Sequence, residues 1–367
     1  MKDHDAQIIN PLALDPTEDT NWTRLSTEMF HDLSPYFSNA KELHSLIKCK
    51  THLWEYFVYT SIRNNKEKKE LFDDIFRIIH SAKTSNLYLF TKILRETWQN
   101  IREAIQNYQD LYQIERKKEE IANRISVKIC FHEIGIIIEE CISPFLKQLS
   151  LFYLITTKEF PFDQDIQNIS LGKTVETLSR NTLFHPLTHP TPLSISLNQL
   201  RNIASHGTYK IQSDNQKIVC HYGQKRKQSI TVNFKDLVLS FQELITIYSI
   251  IKSANSFYTT DYSNTIEDLI EQTTVTQHTC VATISEILLV NGLIIKELYR
   301  SEKQVDITAV DPFARSTDEH RALLMQTLRF LSFMPNTRIT FTIKLIDETI
   351  SLAETNLSLL LQCGALP

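Results

Sequence analysis

The segment "ISVKICFHEIGIIIEECISPFLKQLSLFYLI", residues 125–155, decides the fold of this 367-residue chain. It is apolar enough to form the central helix of a domain. Pro144 lies within it, and because proline has no backbone N–H, we expect it to kink or end the first half of this helix. The segment therefore predicts a helical domain built around one long, interrupted helix.

The chain before this segment is also predicted to be helical. Residues 36–134 contain neither glycine nor proline, so little there would break a helix, and the whole chain has only six glycines. The segments "LFDDIFRIIH" (71–80) and "LYLFTKILRETWQNIREAIQNY" (87–108) have apolar residues at helical spacing. The charged run "ERKKEEIANR" (115–124) is interpreted as a solvated helix face that joins this part to the next.

After the central segment the pattern predicts a helix at 171–184, a proline-rich connection "HPLTHPTPLS" (185–194), a hairpin at 217–232 and a helix at 234–254. Gly223 is expected in the hairpin turn, and Asn233 is expected to cap the last helix.

Between the connection and the hairpin lies "SLNQLRNIASHGTYKI" (196–211). Ser196 and Gln199 have the spacing of a capping box, so a helix should begin at Leu197, and Gly207 is a natural end for it.

The last part of the chain changes character. The segment "TRITFTIKL" (337–345) alternates apolar and polar residues and predicts a strand, with "VDITAV" (305–310) as its partner and a helix capped by Ser316 between them. The fold class is therefore mainly α. We expect an N-terminal helical region (1–118), a central helical bundle with a hairpin insertion (119–258) and a small α+β domain (259–367).

Composition excludes several classes of function. A net charge of −4 rules out a general basic surface for nucleic acid, so any such binding must be local. The six cysteines form no Cys-x-x-Cys pair, which argues against structural zinc. Phosphate-binding glycine loops are absent. The sequence has no basic and apolar leader of the kind needed for secretion, so a cytoplasmic location is expected, with no cofactor and no membrane contact.

The candidate site is Arg201, Asn202 and His206. Three other Arg-to-His pairs have similar spacing, but their contexts favour them less; His185, for example, precedes Pro186, which disfavours helical geometry. On a helical wheel the apolar residues of the 197–206 helix share one side, while Arg201 and His206 lie about 140° apart on the other.

These residue types suit metal-independent cleavage of RNA. Histidine can take a proton from a ribose 2′-hydroxyl or give one to the leaving 5′-oxygen, arginine can hold the phosphate, and Asn202 can orient either partner. From Arg201 to Lys235 there are seven cations and one anion. The residues expected to contact RNA are Ser205, Lys210, Lys225, Arg226 and Lys227.

The stretch "LNQLRNIASHGTY" (197–209) resembles the signature of the HEPN superfamily (higher eukaryotes and prokaryotes nucleotide-binding), in which Arg, a polar residue and His occupy the places of Arg201, Asn202 and His206. The resemblance covers about 140 residues, including the long apolar helix, the 171–184 helix and the closing helix. It implies a helical-bundle endoribonuclease, commonly a homodimer with a composite cleft, that serves as a toxin or antiphage effector. An antitoxin or a defence-complex partner would hold it in check.

Two alternatives stay open at this stage. The chain could be a catalytically inactive HEPN-like module that binds a protein partner. His185 and His189 have a possible metal-ligand spacing, but they lie among prolines without an acidic or thiol companion, which favours a loop and no metal site.

Overall fold

The protein is mainly helical, as the sequence predicts. The computed structural model describes residues 18–48, 53–111, 116–117, 124–161, 166–212, 217–263, 277–300, 304–311, 319, 340–345 and 351–356. The helices are α1 (Glu18–Leu33), α2 (Ala40–Lys48), α3 (Leu53–Arg63), α4 (Lys66–Ser85), α5 (Leu87–Asp110), α6 (Arg124–Ile136), α7 (Ser143–Thr156), α8 (Leu171–Leu178), α9 (His185–Thr188), α10 (Leu197–His206), α11 (Phe234–Asp261) and α12 (Gln277–Val290). The strands are β1 (Arg116–Lys117), β2 (Tyr209–Ile211), β3 (Lys217–Tyr222), β4 (Gln228–Asn233), β5 (Ile294–Arg300), β6 (Gln304–Val310), β7 (Thr340–Leu345) and β8 (Ser351–Asn356).

The chain packs into two units that are not consecutive in sequence. The first unit comprises Met1–Ser61, Tyr112–Lys118 and Thr274–Pro367, and the second comprises Ile62–Leu111 and Glu119–Thr273. This division differs from the three consecutive domains expected from composition, because the N-terminal and C-terminal parts of the chain belong to the same unit. No local sequence pattern indicates that the two ends of the chain belong to the same unit.

The first unit combines helices with a five-stranded sheet of order β1-β5-β6-β7-β8. Strands β6 and β7 pair in parallel, with Val305 opposite Phe341, which confirms the predicted partnership of "VDITAV" and "TRITFTIKL". The expected helix after Ser316 lies outside the described residues, apart from Glu319. The solvated helix predicted at 115–124 is wrong at Arg116–Lys117, because these residues form β1 and pair with β5.

In the second unit the segment that decided the fold runs through the centre. Helix α6 continues into α7 through a π-helical turn at Ile137–Ile142, in which the Ser143 N–H donates to the Ile138 carbonyl five residues back. Pro144 follows directly, and because a proline ring would clash with the carbonyl four residues earlier in an α-helix, the wider turn accommodates it. The irregularity predicted at Pro144 is therefore a wider, π-helical turn, and the helix continues through it without a break.

The other helices of this unit pack around that central helix. Helix α7 contacts α4, α5 and α8, while α11 contacts α4, α6 and the π-helical turn. By length and composition α11 could cross a membrane, with a mean hydropathy of 1.3, but 83% of its apolar window is buried inside the protein. That burial favours a core helix, because a core helix can have the same length and apolar composition as a membrane-spanning one. The helix also extends to Asp261, beyond the predicted end at 254.

Local predictions around the motif have mixed outcomes. The hairpin of β3 and β4 with Gly223 in its turn is confirmed, and β2 adds a third antiparallel strand. Asn233 caps α11 in a full capping box with Asp236. The predicted helix at 171–184 ends already at Leu178 and is followed by a short 3-10 turn at Thr182–Phe184. The prediction that Pro186 keeps His185 out of helical geometry is wrong, since His185 begins α9.

A polar network lies inside the second unit and joins three of its helices. Gln148 of α7 donates to the Thr97 hydroxyl of α5 at 2.6 Å and accepts from the Asn255 amide of α11 at 2.9 Å. Tyr258 also donates to the Gln148 carbonyl oxygen, and burial raises the pKa of Tyr258 well above its usual value. Because all four side chains are buried, each depends on the others for hydrogen bonds.

Replacing Gln148 with alanine should therefore destabilise the protein. The change removes the acceptor of the Tyr258 hydroxyl, whereas Thr97 keeps its hydrogen bond to the Ile93 carbonyl and Asn255 keeps its hydrogen bond to Tyr258. Each buried group left unsatisfied costs about 1–3 kcal/mol. Urea unfolding followed by circular dichroism measures the loss. The control is Gln106→Ala, which removes an exposed i,i+4 contact to Asp110 and should change stability by less than about 0.5 kcal/mol. Equal effects of the two substitutions would contradict a structural role for the network.

Candidate functional site

The motif helix α10 has the boundaries that the sequence predicts, but its first turn lacks the predicted side-chain cap. It begins at Leu197 and ends at Gly207, whose φ of 58° is left-handed. The Gly207 and Thr208 N–H groups both donate to the Ile203 carbonyl, a common helix ending. The predicted capping box is wrong, since the Ser196 side chain makes no cap hydrogen bond. Gln199 instead accepts from the Gly223 N–H at 3.1 Å.

The two sides of α10 differ as the helical wheel predicts. Leu197, Leu200 and Ile203 are fully buried. Arg201 and Asn202 are partly exposed, whereas His206 is exposed at the end of the helix. The apolar side therefore fixes α10 on the bundle and leaves the polar side of the motif accessible.

Arg201 is paired with a residue that sequence reasoning missed. Its Nε lies 2.6 Å from a carboxylate oxygen of Glu139, in the π-helical turn. The Nε–H does not point along a hydrogen bond to that oxygen, so the contact is an ion pair rather than a linear hydrogen bond. The Arg201 Nη1 also donates a weak hydrogen bond to the side-chain Oδ1 of Asn202, 3.4 Å away.

Close packing between α10 and α6 places this ion pair. A Cβ added to Gly135 of α6 would lie 3.6 Å from the Ala204 Cβ and 3.7 Å from the Ser205 Oγ. Since Gly135 faces Ala204 and Ser205 while Glu139 faces Arg201, the two helices run antiparallel. The ring of Phe131 then stacks on Tyr209 of β2, with centroids 4.1 Å apart. Arg201 and Ser205 therefore lie on the side of α10 that faces α6.

His206 lies on a different side of the same helix. At about 100° per residue, Gln199, Asn202 and His206 form one stripe, and His206 is about 140° from Arg201. Gln199 on this stripe contacts the hairpin turn through Gly223, and Thr208 beyond the helix end exchanges hydrogen bonds with His221 of β3. The His206 stripe thus adjoins the hairpin, whereas Arg201 adjoins Glu139.

The expected RNA-binding cations all lie on the three-stranded sheet. Lys210 is exposed on β2, and Lys225, Arg226 and Lys227 are exposed in the turn between β3 and β4. The side chains of these four cations make no hydrogen bond or ion pair within the described part of the chain. The turn cations therefore lie next to the stripe of α10 that carries Gln199 and His206, because Gly223 of the turn contacts Gln199. Lys210 lies on β2, the strand that follows the motif helix.

Two groups near the site, the buried Cys220 thiol and the partly exposed Tyr209 hydroxyl, stay uncharged at neutral pH. Burial raises the pKa of the Cys220 thiol to about 12. Burial, and to a smaller extent Cys220, raises the pKa of Tyr209. The charged groups available for chemistry are the partly exposed Arg201 and the exposed Glu139, His206 and hairpin cations.

The histidine pair of the proline-rich connection does not form a larger metal site. The His185 and His189 rings stack with centroids 4.6 Å apart, and the His189 Nδ1 lies 3.0 Å from the Thr188 hydroxyl. Burial, followed by His185, lowers the pKa of His189. Among the described residues no group of three or more His, Cys, Asp or Glu side chains could hold a metal ion.

No protein-family model, curated protein or solved structure matches this chain. The interpretation of the site therefore depends on its own residues and their geometry.

The close contact at Gly135 predicts opposite changes in stability for a small and a large substitution. Gly135→Ala should stabilise the protein by up to about 1 kcal/mol, because alanine favours the helix and its Cβ meets only ordinary contacts. Gly135→Leu should destabilise it by about 1–3 kcal/mol, because the larger side chain must push α10 from α6. Thermal unfolding of both variants beside wild type measures the difference. A leucine variant as stable as the alanine variant would show that the helices do not approach closely here.

Proposed function

We propose that the protein is a HEPN-type endoribonuclease that cleaves RNA by attack of a 2′-hydroxyl on the adjacent phosphate. The observation that carries the proposal is the polar side of α10, where the stripe of Asn202 and His206 adjoins a hairpin turn bearing three exposed cations and Arg201 stays partly exposed beside Glu139. Because the chain as a whole is acidic, this local group of cations is the surface that suits a phosphate backbone.

The proposed reaction gives a role to each motif residue. His206 takes the 2′-hydroxyl proton as the P–O2′ bond forms and gives a proton to the leaving 5′-oxygen as the P–O5′ bond breaks. Asn202 orients the Arg201 guanidinium through its side-chain oxygen. Arg201 stabilises the added negative charge on the phosphate. Its guanidinium carries five N–H donors, so the contacts with Glu139 and Asn202 leave others for phosphate oxygens. The products are a 2′,3′-cyclic phosphate and a 5′-hydroxyl.

The separation of Arg201 from His206 around α10 favours a composite site. Because one copy turns the two side chains about 140° apart, Arg201 of one copy and His206 of another would complement each other across a homodimer. This arrangement is the one implied by the HEPN resemblance, and it forms part of the proposal.

Cleavage of RNA by the purified protein tests the proposal. Wild-type protein in excess EDTA should produce cyclic phosphate ends, and Arg201→Ala and His206→Ala should each lower the rate by about 10²–10⁴-fold. The matched control is the second Arg-Asn-to-His set, Arg180→Ala and His185→Ala. Arg180 pairs with Glu159 and Glu176 and not with a residue of the motif helix, so these variants should cleave like wild type. Cleavage that persists in both motif variants would overturn the assignment.

The alternative is an inactive HEPN-like module within a toxin–antitoxin or defence complex. One observation favours it: Glu139 already neutralises Arg201 within a single chain. Expression in bacteria separates the two functions. A toxic ribonuclease should arrest growth as wild type and lose toxicity as His206→Ala, whereas an inactive module should be harmless in both forms and should bind a protein partner equally well in both.

A further inference from the structure

The tip of the hairpin, residues 224–227, has a backbone that its side chains do not favour. Lys225 and Arg226 have φ angles of 55° and 57°, so two consecutive residues with bulky side chains are left-handed. The Lys227 N–H donates to the Gln224 carbonyl at 3.4 Å and closes the turn. Hairpin turns with this geometry prefer Asn and Gly at the two central positions, because those residues adopt positive φ at little cost.

The same tip concentrates charge in solvent. Lys225, Arg226 and Lys227 are all exposed. Strained backbone persists where the surrounding structure or a function maintains it. Since these side chains contribute no hydrogen bond or ion pair within the described part of the chain, the presence of two of them on an unfavourable backbone points to a ligand with negative charge.

The tip is also held at a fixed place on the motif helix. Gly223, the first residue of the turn, donates its N–H to the Gln199 side chain at 3.1 Å. A Cβ at Gly223 would lie 2.9 Å from the Gln228 Oε1, so the Gln228 side chain lies against Gly223. Gln199 and His206 share one stripe of α10 and are separated by seven residues, which is about 10 Å along the helix.

We propose that the hairpin tip is a second phosphate subsite, distinct from the position of cleavage, that holds single-stranded RNA about 10 Å along α10 from His206. This inference rests on the proposed function for the identity of the ligand. Single-stranded RNA fits better than a duplex, because in-line attack by a 2′-hydroxyl requires a backbone free to leave A-form geometry. The subsite implies that the substrate extends beyond the two nucleotides that flank the cleaved bond.

The test combines removal of charge with relief of strain. In the variant Lys225→Asn/Arg226→Gly, two cations are lost but the turn receives the residues that its backbone prefers. Thermal unfolding should show a midpoint equal to or above that of wild type, which excludes misfolding as the cause of any loss. Binding of a fluorescent 12-nucleotide single-stranded RNA, measured by anisotropy, should weaken. Each phosphate contact contributes about 0.7 to the steepness with which the logarithm of the affinity falls against the logarithm of the salt concentration. The loss of two contacts should therefore lower this slope by about 1.4 in the variant. Between about 50 and about 200 mM salt, wild type should then lose about sevenfold more affinity than the variant.

A matched control and a second substrate complete the experiment. Lys66→Asn/Lys158→Gly removes two exposed cations elsewhere in the same unit, and Lys158 has the same left-handed backbone, with φ of 61°. This control should bind the 12-nucleotide RNA like wild type. A dinucleotide should bind wild type and the tip variant equally weakly, because it cannot span both positions.

The outcomes separate this inference from the proposed function. His206→Ala should keep the affinity of wild type for the 12-nucleotide RNA while it loses cleavage. If wild type binds this RNA through the tip but never cleaves RNA, the subsite stands and the ribonuclease proposal fails. If the tip variant binds with the affinity and salt slope of wild type, or if wild type binds no RNA, the subsite is wrong.

Discussion

Helix α7 and the apolar residues of the π-helical turn before it have to bury side chains around most of their circumference, and the rest of that unit is arranged to satisfy this requirement. Ile138 and Ile142 of the π-helical turn are fully buried, and so is Leu146 in the first turn of α7, whereas Glu139 and Glu140 of the same π-helical turn are exposed. A helix with so much apolar surface needs neighbours on most of its sides, because apolar surface is stabilised only when it is removed from water. Helices α4, α5, α8, α10 and α11 supply those neighbours.

This requirement also explains where the candidate site lies. Helix α10 is one of the covering helices, so its apolar stripe faces inward and its polar stripe must face outward. Glu139 lies in the widened turn that precedes Pro144, and the same packing brings it to Arg201. The motif arginine therefore has a carboxylate beside it as a consequence of how α10 covers the central helix.

A second constraint acts through the hairpin. Gln199 would have served as a helix cap if the sequence pattern alone had governed it, but its side chain holds the turn of the hairpin through Gly223. The polar side of α10 is thus divided between two neighbours. Arg201 turns to α6, and the stripe of Gln199 and His206 turns to the hairpin and its exposed cations. A single copy of the chain separates the arginine and the histidine of the motif, which is why the proposed reaction involves two copies.

The sequence by itself determined the elements whose causes are local. The spacing of apolar residues predicted the helices before and after residue 125, Gly207 and Asn233 marked their helix boundaries, and Gly223 marked the hairpin turn. The alternation in β7 identified a strand, and the wheel of α10 correctly separated its buried and exposed sides. Each of these depends on residues within a few positions of one another, where propensity and periodicity are informative.

Only the tertiary structure decided features that join residues distant along the chain. The pairing of Glu139 with Arg201 spans two helices, and the only sequence signal was an acidic pair in an otherwise apolar segment, "GIIIEECI" (135–142). The Gln199 side chain could form either a helix cap or a contact with the hairpin turn. In the folded protein it accepts a hydrogen bond from the Gly223 N–H, which is distant in sequence, and forms no local capping box. The joining of N-terminal helices and C-terminal strands in one unit likewise has no local cause, since β1 is a two-residue strand that exists only because β5 pairs with it. Sequence patterns describe which face of an element is apolar, whereas the choice of neighbour for that face depends on the shape of the whole packed unit.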